Sequence, residues 1–319
     1  MDDTWYDFFI EALYKKFPQK TRLAQALMDL LFIEREAVYR RLRKDVPFTV
    51  YEMAKISAAW NISLDEIIHA GSGNVSFTMK PVNYVDPSEK EMHELQKRIQ
   101  RLEHIETVLH SECMEVCNKL PRSLISGFLP LYQFKIFRWA YEYGNLTENL
   151  HYSQITYPEY FASEMERYTQ IIKQVTDMTY VWDHRMFDYV VNDVQYFHSI
   201  LLISDEDKNL LKKTLLAMLD YLQEVATKGA FPETGNKVTI CISKLNMDTN
   251  YSYFYTDNLK MCRIHAFEKY DIFSFNEEMV NNFRNWMQLK KRISTQISEV
   301  DEKSRIEFFM KQRQLVERL

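Results

Sequence analysis

Residues that break helices are scarce in this chain, which has only 6 Gly and 8 Pro among 319 residues. A fold of many short strands needs Gly and Pro at most of its turns, whereas helices need them mainly at their ends. Apolar residues make up 46% of the chain, enough to bury a core. The sequence therefore predicts a mainly helical globular protein, and its length favours two or three domains.

The charge and cysteine content exclude some classes of protein. A net charge of −5 argues against a protein that coats nucleic acid with its whole surface. Four cysteines are too few for a disulfide scaffold and fit a reducing compartment. The N-terminal residues lack the order of a signal peptide, and no run of about 18 apolar residues is present to cross a membrane. We therefore expect a cytoplasmic protein with no membrane partner.

The first seventy residues carry apolar side chains at intervals of three and four, the spacing of one helix face. This pattern predicts helices at residues 5–17, 21–31 and about 34–43. Two capping boxes, Thr49 with Glu52 and Ser63 with Glu66, predict two more, because in each the hydroxyl and the carboxylate satisfy backbone N–H groups. Residues 1–70 are thus predicted to form a compact five-helix domain.

The third of these helices is short and basic. Ala37, Val38 and Leu42 share the side that faces inward. Between Lys15 and Lys44 nine Lys and Arg outnumber three Asp and Glu, a local balance of +6. The major groove of DNA admits a helix, and Arg can bond the edge of guanine in two places. The pattern therefore favours a helix-turn-helix domain.

Residues 32–67, FIEREAVYRRLRKDVPFTVYEMAKISAAWNISLDEI, carry a family resemblance. The stretch resembles the helix-turn-helix domain of the phage Cro and repressor type, widespread in bacterial transcription regulators, and the likeness covers residues 5–70. It departs from that family at Met28, where a small residue is usual, and at Phe32, where Gly is usual. The resemblance implies that the start and outer face of the third helix read bases and that nearby cations contact phosphates.

The base-reading candidates are Glu34, Arg35, Glu36, Tyr39 and Arg40. The phosphate candidates are Lys20, Arg41, Arg43 and Lys44. The alternative for the same stretch is a solvated basic helix in a small all-α domain, since runs of charge often lie on solvated faces. The partner would then be a protein instead of double-stranded DNA.

Residues 71–120 are predicted to form a linker and a long helix. Gly, Pro, Asn and Ser cluster in residues 71–87, and a capping box at Ser88 and Glu91 follows. Apolar residues then continue in heptad-like steps to about residue 118, which fits either a dimeric coiled coil or a helix packed on its own domain. A homodimer would place two reading helices on one two-fold axis. The dimerisation candidates are Leu95, Ile99, Leu102 and Leu109.

His110, Cys113 and Cys117 lie along the same predicted helix. One helix face could present all three to a metal ion, but a fourth ligand and the paired spacing of zinc sites are missing. We therefore expect buried thiols in a heptad core, with no metal and no cofactor.

Residues 121–319 are predicted to form a helix-rich α+β domain. The pattern is mostly helical to about residue 229, then alternates at 238–243, 251–255 and 259–267, and returns to helices at 276–293 and 301–319. Turn-rich spacers between the alternating segments predict a small antiparallel sheet. The expected fold class is thus mainly α, with a five-helix domain, a long linker helix and this α+β domain.

Catalytic motifs are absent from the sequence. It has no Gly-rich phosphate loop, no G-x-S-x-G elbow and no HExxH, and Asp183-His184-Arg185 reads as a surface polar cluster. Aromatic residues of the last domain fit either an effector pocket or an ordinary core: Trp139, Tyr141, Tyr143, Trp182, Tyr251, Tyr253 and Tyr255. We expect a DNA-binding transcription regulator that is not an enzyme, with a protein-interaction module as the alternative.

Overall fold

The structure is a computed structural model that describes residues 4–60, 62–68, 77–79, 87–143, 150–156, 159–266 and 270–319. The chain divides into two compact units, which we call unit 1 (residues 1–76) and unit 2 (residues 77–319). Within the described ranges each helix is too short or too polar to span a bilayer.

Unit 1 consists of five helices among its described residues, at the predicted positions. They are α1 (Thr4–Lys16), α2 (Lys20–Leu31), α3 (Arg35–Leu42), α4 (Val50–Trp60) and α5 (Leu64–Ile68). The predicted capping box that opens α4 is confirmed, since Thr49 N donates to Glu52 Oε2 at 2.8 Å and Glu52 N donates to Thr49 Oγ1 at 3.2 Å. The side chains of Glu66 and of Ser88 and Glu91, which belong to the other predicted boxes, lie outside the described residues.

The five helices of unit 1 share one apolar core. Its centre is formed by side chains with no exposed surface: Phe9, Leu13, Leu23, Leu27, Val38 and Ile56. These come from α1, α2, α3 and α4, so the inner side of α3 is held by three other helices. Burial of this kind stabilises a short helix that would be marginal in isolation.

Unit 2 is built on a mixed sheet with eight strands among the described residues. The strands are β1 (Thr78–Met79), β2 (Glu112–Cys117), β3 (Asp177–Asp183), β4 (Lys237–Ser243), β5 (Tyr251–Tyr255), β6 (Lys260–Ala266), β7 (Tyr270–Ser274) and β8 (Thr295–Gln296). The helices are α6 (Pro87–Leu102), α7 (Arg122–Ile125), α8 (Leu129–Tyr143), α9 (Glu159–Lys173), α10 (Met186–Ser199), α11 (Asp205–Lys228), α12 (Glu277–Arg292) and α13 (Glu302–Glu317).

The spatial order of the strands is β1-β7-β6-β5-β2-β3-β4-β8. Strands β2, β3 and β4 are parallel, and the remaining pairs are antiparallel. The predicted small antiparallel sheet is therefore wrong, because it contained only β4, β5 and β6. β3 was missed since it is buried on both faces: Met178–Trp182 is an unbroken buried run without the alternation that marks a half-buried strand.

The predicted long linker helix is also wrong. α6 ends at Leu102, a 3₁₀ turn follows, and β2 begins at Glu112. Cys113 and Cys117 are four residues apart, and residues at that separation lie on the same face in a strand as well as in a helix. The apolar pattern of β2 could therefore be mistaken for a continuation of the heptads of α6. The helix packs on its own unit, which was the other interpretation of the apolar stripe.

Three of the four dimerisation candidates are consequently unavailable to a partner. Leu95, Ile99 and Leu102 are at most 4% exposed and belong to the main core of unit 2. Leu109 is fully exposed but lies beyond the end of α6. A coiled-coil seam through α6 would require this core to open, so a dimer of this protein must use another surface.

Helices cover both faces of the sheet. α6, α8, α9, α10, α11 and α13 pack on one face, and α12 covers the other with Val280, Phe283 and Met287. The loops that follow β2 and β4 meet at one edge, where Asn118 Nδ2 donates to Met247 O at 3.1 Å. The carboxyl ends of parallel strands, which position ligands in many α/β proteins, therefore converge there.

Candidate DNA-binding surface

Four of the five residues predicted to read bases lie on one exposed arc of α3. Successive residues of a helix are about 100° apart, so the base-reading candidates Arg35, Tyr39, Glu36 and Arg40 follow one another around one side, and the phosphate candidate Arg43 lies between Tyr39 and Glu36. Four of these side chains are exposed and Tyr39 is half-buried. The opposite side is buried in the core of unit 1, as described above. Packing thus fixes which side of α3 faces solvent.

Glu34 lies outside this arc, at the start of α3, where it is the N-cap residue with extended backbone. Its side chain is exposed and makes no capping hydrogen bond. Arg35 lies over the ring of Tyr39, 5.6 Å from the ring centroid, and its Nη2 is 3.4 Å from the Tyr39 hydroxyl. The Arg40 guanidinium is exposed, and among the described residues it forms no hydrogen bond or ion pair, while its backbone oxygen accepts the N–H of Asp45 at 2.9 Å. The arc therefore offers two accessible guanidinium groups and a phenol.

Arg41 occupies the other edge of α3 and faces α4. Its Nε and Nη2 donate to the two carboxylate oxygens of Glu52 at 3.0 and 2.8 Å, and its Nη1 donates to Ala37 O at 3.1 Å. The side chains of Arg41 and Glu52 are only 16% and 12% exposed. The prediction that Arg41 contacts phosphate is therefore corrected: its donors join α3 to the first turn of α4.

The Glu52 carboxylate accepts hydrogen bonds from two residues, Arg41 and Thr49. Burial raises the pKa of its carboxyl group, but hydrogen bonds from Arg41 and Thr49 outweigh that effect and leave the pKa below its usual value. The carboxylate is therefore ionised at neutral pH, caps α4 and pairs with α3 at the same time.

The other phosphate candidates are closer to solvent. Lys20 is exposed at the first residue of α2. Arg43 bonds Glu36 and Asp45, each at 3.1 Å, and Lys44 pairs with Asp7 of α1. Exposed pairs of this kind contribute little and exchange readily. Three acidic residues outside residues 15–44 form ion pairs with cations inside that segment: Asp7, Asp45 and Glu52. When they are included, the net charge of the segment falls from +6 to +3.

The turn between α2 and α3 departs from the sequence expected of the resembled family, yet it remains tight. Phe32 adopts left-handed backbone, with φ 57° and ψ 43°, and its N–H donates to Met28 O at 2.9 Å. Gly adopts this conformation without the steric cost, about 1–2 kcal/mol, that a side chain brings. The ring of Phe32 is 86% exposed.

Phe32 also belongs to an exposed aromatic patch, which we define as Phe32, Tyr51 and Lys55. The Lys55 ammonium lies 5.9 Å from the Phe32 ring centroid and 4.8 Å from that of Tyr51, and the Tyr51 side chain is 69% exposed. Sequence analysis missed this patch because Phe32 lies in the turn after α2 whereas Tyr51 and Lys55 lie on α4, about twenty residues further along the chain.

The polar residues considered for chemistry in unit 2 have structural roles. Asp183 is 3% exposed, and its two carboxylate oxygens accept the backbone N–H groups of Arg185 at 2.9 Å and Met247 at 3.0 Å. The predicted surface cluster is therefore wrong for Asp183, which holds the loops after β3 and β4. Cys113 and Cys117 are buried as predicted, but on β2, and burial raises the pKa of both thiols. In the described part of the chain no group of metal-ligating residues forms.

The aromatic residues that fitted either an effector pocket or an ordinary core are not brought together in one pocket. Trp182 and Tyr253 are buried, Tyr251 packs against Trp286, and Trp139 lines a pocket beside α8. Tyr141 lies against Tyr196, Tyr255 lies under Arg284, and the Tyr143 side chain lies outside the described residues. No family model, curated protein or solved structure matches the chain, so its resemblance to Cro and repressor domains stays a prediction.

Proposed function

We propose that unit 1 binds double-stranded DNA through α3 and that the protein is a sequence-specific transcription regulator. The observation that carries this proposal is the exposed arc of α3, which presents Arg35, Tyr39 and Arg40 while the opposite side packs in the core. A helix of eight residues is about 12 Å long and fits the major groove. Arg bonds guanine there, and Glu34 or Glu36 can accept from the amino group of cytosine.

Cations on either side of α3 support the same orientation. Lys20 begins α2, and Arg43 and Lys44 follow α3, so exposed cations precede and follow the reading helix in the chain. Contacts of this kind fix the position of a protein on the phosphate backbone without reading sequence. Because one short helix reads few base pairs, we propose that the regulator binds as a homodimer with two half-sites.

The test is selection of duplexes from a random pool by the full-length protein, followed by fluorescence anisotropy at 50 and 200 mM salt. We expect one enriched motif, bound with an affinity that falls steeply as salt rises through counterion release. Arg40→Ala should weaken binding by about 1–3 kcal/mol and relax preference at one base pair. Arg292→Ala, which removes an exposed arginine at the end of α12, is the matched control and should bind as the unmodified protein does. Failure to enrich any motif would overturn the proposal.

The aromatic patch supports a second candidate, in which unit 1 binds a protein. Exposed aromatic rings are typical centres of protein interfaces. An interface centred on Phe32 and Tyr51 would change little between the two salt concentrations, and Tyr51→Ser would weaken it. The same substitution should leave the DNA affinity unchanged if the first proposal holds, because Tyr51 lies on α4 and not on the arc of α3.

A further inference from the structure

A pocket opens in unit 2 where the strand order changes direction. β3 lies on one side of β2, and β5, which follows β4 in the chain, lies on the other. Ligands of α/β sheets bind at such positions, outside the carboxyl ends of the parallel strands. The pocket lies at this end of β2, and apolar side chains of α8 and α10 line it, among them Leu131, Phe134, Met186 and Val190.

His265 reaches this pocket from the sheet. β6 runs in the same direction as β2, with the antiparallel β5 between them, so the last residues of β6 lie near the carboxyl end of β2. The backbone of His265 is held on both sides, since its N–H donates to Asn250 O at 2.8 Å and its oxygen accepts from Thr249 Oγ1 at 2.5 Å. The side chain lines the pocket and is only 19% exposed.

Asp271 fixes the orientation and the tautomer of this imidazole. It lies opposite His265 on β7, and its Oδ1 is 3.2 Å from His265 Nδ1. Burial alone would raise the pKa of Asp271, but the guanidinium groups of Arg98 and Arg263 outweigh it and hold that pKa well below its usual range. An ionised carboxylate only accepts hydrogen bonds, so we assign the proton to Nδ1. Burial lowers the pKa of His265 itself, which keeps the ring neutral at neutral pH.

The other ring nitrogen of His265, Nε2, is consequently an acceptor. In a neutral imidazole with its proton on Nδ1, Nε2 carries a lone pair and has no hydrogen to donate. Asp271 is not among the described lining residues, so the side of the ring that faces the pocket is the side of Nε2. This nitrogen forms no hydrogen bond with another described residue. A largely buried acceptor without a partner costs free energy, and a donor bound in the pocket would remove that cost.

The charged side chains of the lining are engaged with the protein itself. Arg138 Nη1 pairs with Asp193 Oδ2 at 2.7 Å, and Asp193 is the one carboxylate among the described lining residues. A cationic ligand would therefore find its counter-ion already paired. Lys119 and Lys135 also interact with other groups of the chain. An anionic ligand would meet the lone pair of His265 Nε2, so the lining favours a neutral ligand.

The size of the pocket limits the ligand to one ring. Its volume is about 80 Å³, whereas an engineered cavity of about 150 Å³ encloses benzene completely. This pocket is open to solvent on one side, so a single ring can enter with its outer edge exposed. A fused ring system would lie mostly outside it.

We propose that this pocket binds a small neutral molecule with one apolar ring and one hydroxyl or N–H group, which donates to His265 Nε2 while the ring packs against Phe134 and Val190. Phenols and small N–H heterocycles belong to this class. The lining combines apolar surface with an oriented polar group, as small-molecule sites do. Asp271 holds the acceptor in place before the ligand arrives, which lowers the cost of binding. This inference concerns unit 2 and does not rest on DNA binding by unit 1.

The test uses the full-length protein at neutral pH and para-fluorophenol as the probe, observed by fluorine nuclear magnetic resonance. We expect it to bind at a single saturable site. para-Difluorobenzene has nearly the same shape but no hydrogen to donate, and para-fluorobenzoate carries a negative charge. Because both leave Nε2 unpaired, we expect each to bind about tenfold more weakly than the phenol. Equal or tighter binding of either one, or no saturable binding of the phenol, would overturn the proposal.

His265→Phe keeps a ring in the pocket but removes the acceptor. We expect the preference for para-fluorophenol over para-difluorobenzene to disappear in this variant, while para-difluorobenzene still binds. His198→Phe is the matched control and should keep the preference, because His198 also pairs with an aspartate, Asp205 at 2.9 Å, but lies on α10 outside the described pocket lining. A preference that survives in His265→Phe, or that is lost in both variants, contradicts the assignment of Nε2 as the acceptor.

Val190→Trp locates the probe independently of His265. Its larger side chain should fill the pocket, so we expect the dissociation constant of para-fluorophenol to rise about tenfold or more. Leu210→Trp, at an exposed position of α11 outside the described lining, is the matched control and should bind normally. Far-ultraviolet circular dichroism checks that both variants are folded. If a folded Val190→Trp protein binds the phenol as tightly as the unmodified protein does, the phenol lies elsewhere and the proposed site is wrong. The comparison of the three ligands on the unmodified protein decides the proposal even if this variant does not fold.

Discussion

Unit 1 and unit 2 both contain ion pairs between distant residues, but the two are built differently. In unit 1 Arg41 and Glu52 join neighbouring helices at the edge of the core, and the carboxylate also caps α4. In unit 2 Arg263 lies within the fold, where its Nη2 is 3.2 Å from Glu115 Oε1 and its Nε donates to Ser252 Oγ at 2.8 Å. The Glu115 side chain is 1% exposed.

The carboxylates of Glu52 and Glu115 differ in how far they are buried, and this decides how each affects stability. Glu115 is shielded from solvent, and this burial raises the pKa of its carboxyl group. The nearby Arg263 and a hydrogen bond from Ser123 Oγ at 2.5 Å lower that pKa but do not outweigh the burial. Glu52 stays ionised because its hydrogen bonds outweigh its smaller loss of solvent. The pair in unit 1 therefore adds to a cap that would exist without it, whereas the charges in unit 2 are tolerated only because they compensate one another.

The largest loss of stability is expected for Arg263→Met. Removing this guanidinium leaves Glu115 buried without its cation and takes one of two arginines from Asp271. Breaking one partner from a buried pair typically costs about 3–5 kcal/mol, so we expect the free energy of unfolding of unit 2 to fall by that amount. Hydrogen exchange of the amides of β2 and β6 measures it.

The double variant Glu115→Met with Arg263→Met is the control for this comparison. It removes both charges, so it should be less destabilised than the sum of the two single variants. Additive losses would show that Glu115 and Arg263 do not compensate each other.

A smaller loss of stability is expected when Glu52 of unit 1 is replaced. Glu52→Ala removes the bond from Thr49 N–H, which is one half of the capping box, together with the pair to Arg41. Hydrogen bonds to a charged group contribute about 1.5–3 kcal/mol, so we expect the exchange protection of α3 and α4 to fall by about 2 kcal/mol. Arg41→Ala should lower the same protection, and if unit 1 binds DNA as proposed, it should leave the salt dependence of that binding unchanged. A salt slope that becomes shallower by about one in Arg41→Ala would restore Arg41 as a phosphate contact.

The same contrast explains which parts could be predicted from the sequence. Each helix of unit 1 can be predicted from a stretch of about ten residues, through the spacing of its apolar side chains and, for α4, through the capping box of Thr49 and Glu52. β2 and β3 gave no comparable signal, because strands buried on both faces lack alternation and their partners are far away in sequence. Arg41 was assigned to phosphate for a related reason: Glu52 is eleven residues away, and only the packing of α3 on α4 brings the two together.

The pocket lined by Lys119, Lys135 and His265 was equally invisible to sequence patterns. Lys119, Lys135 and His265 are spread over about half the chain, and each is unremarkable among its neighbours. Their approach depends on β5 and β6 returning beside β2, a connection that no local motif encodes. Aromatic composition pointed to a pocket in unit 2, but of the residues named from it only Trp139 appears in the described pocket lining.

Phe32→Gly should stabilise unit 1, in contrast to the two losses above. Gly adopts left-handed backbone without the steric cost of a Cβ atom, and part of that gain is offset by its greater freedom in the unfolded chain. We expect an increase of about 0.5–1 kcal/mol in the exchange protection of α2 and α3. Phe32→Ala is the matched control, because it removes the ring but keeps Cβ, and it should give no increase. Equal stabilisation by both would place the strain in the exposed ring instead of the backbone.

The smallest effect is a change with pH that isolates the charge of Glu52. Its pKa in the folded chain is lower than in the unfolded chain, so its ionised form stabilises unit 1 above the usual carboxyl value of 4.5, and this contribution is lost as the pH falls through the folded pKa. Glu52→Gln keeps an oxygen that can accept from Thr49 but has no charge. We expect it to be less stable than the unmodified protein at pH 7, by about 1 kcal/mol or less, and equally stable once the pH lies below the folded pKa of Glu52. Exchange protection of α3 and α4, corrected for intrinsic rates, measures both values. A difference that persists at the lower pH would mean that Glu52 acts through its shape and hydrogen bonds alone, which would remove the charged pair from the comparison with Arg263.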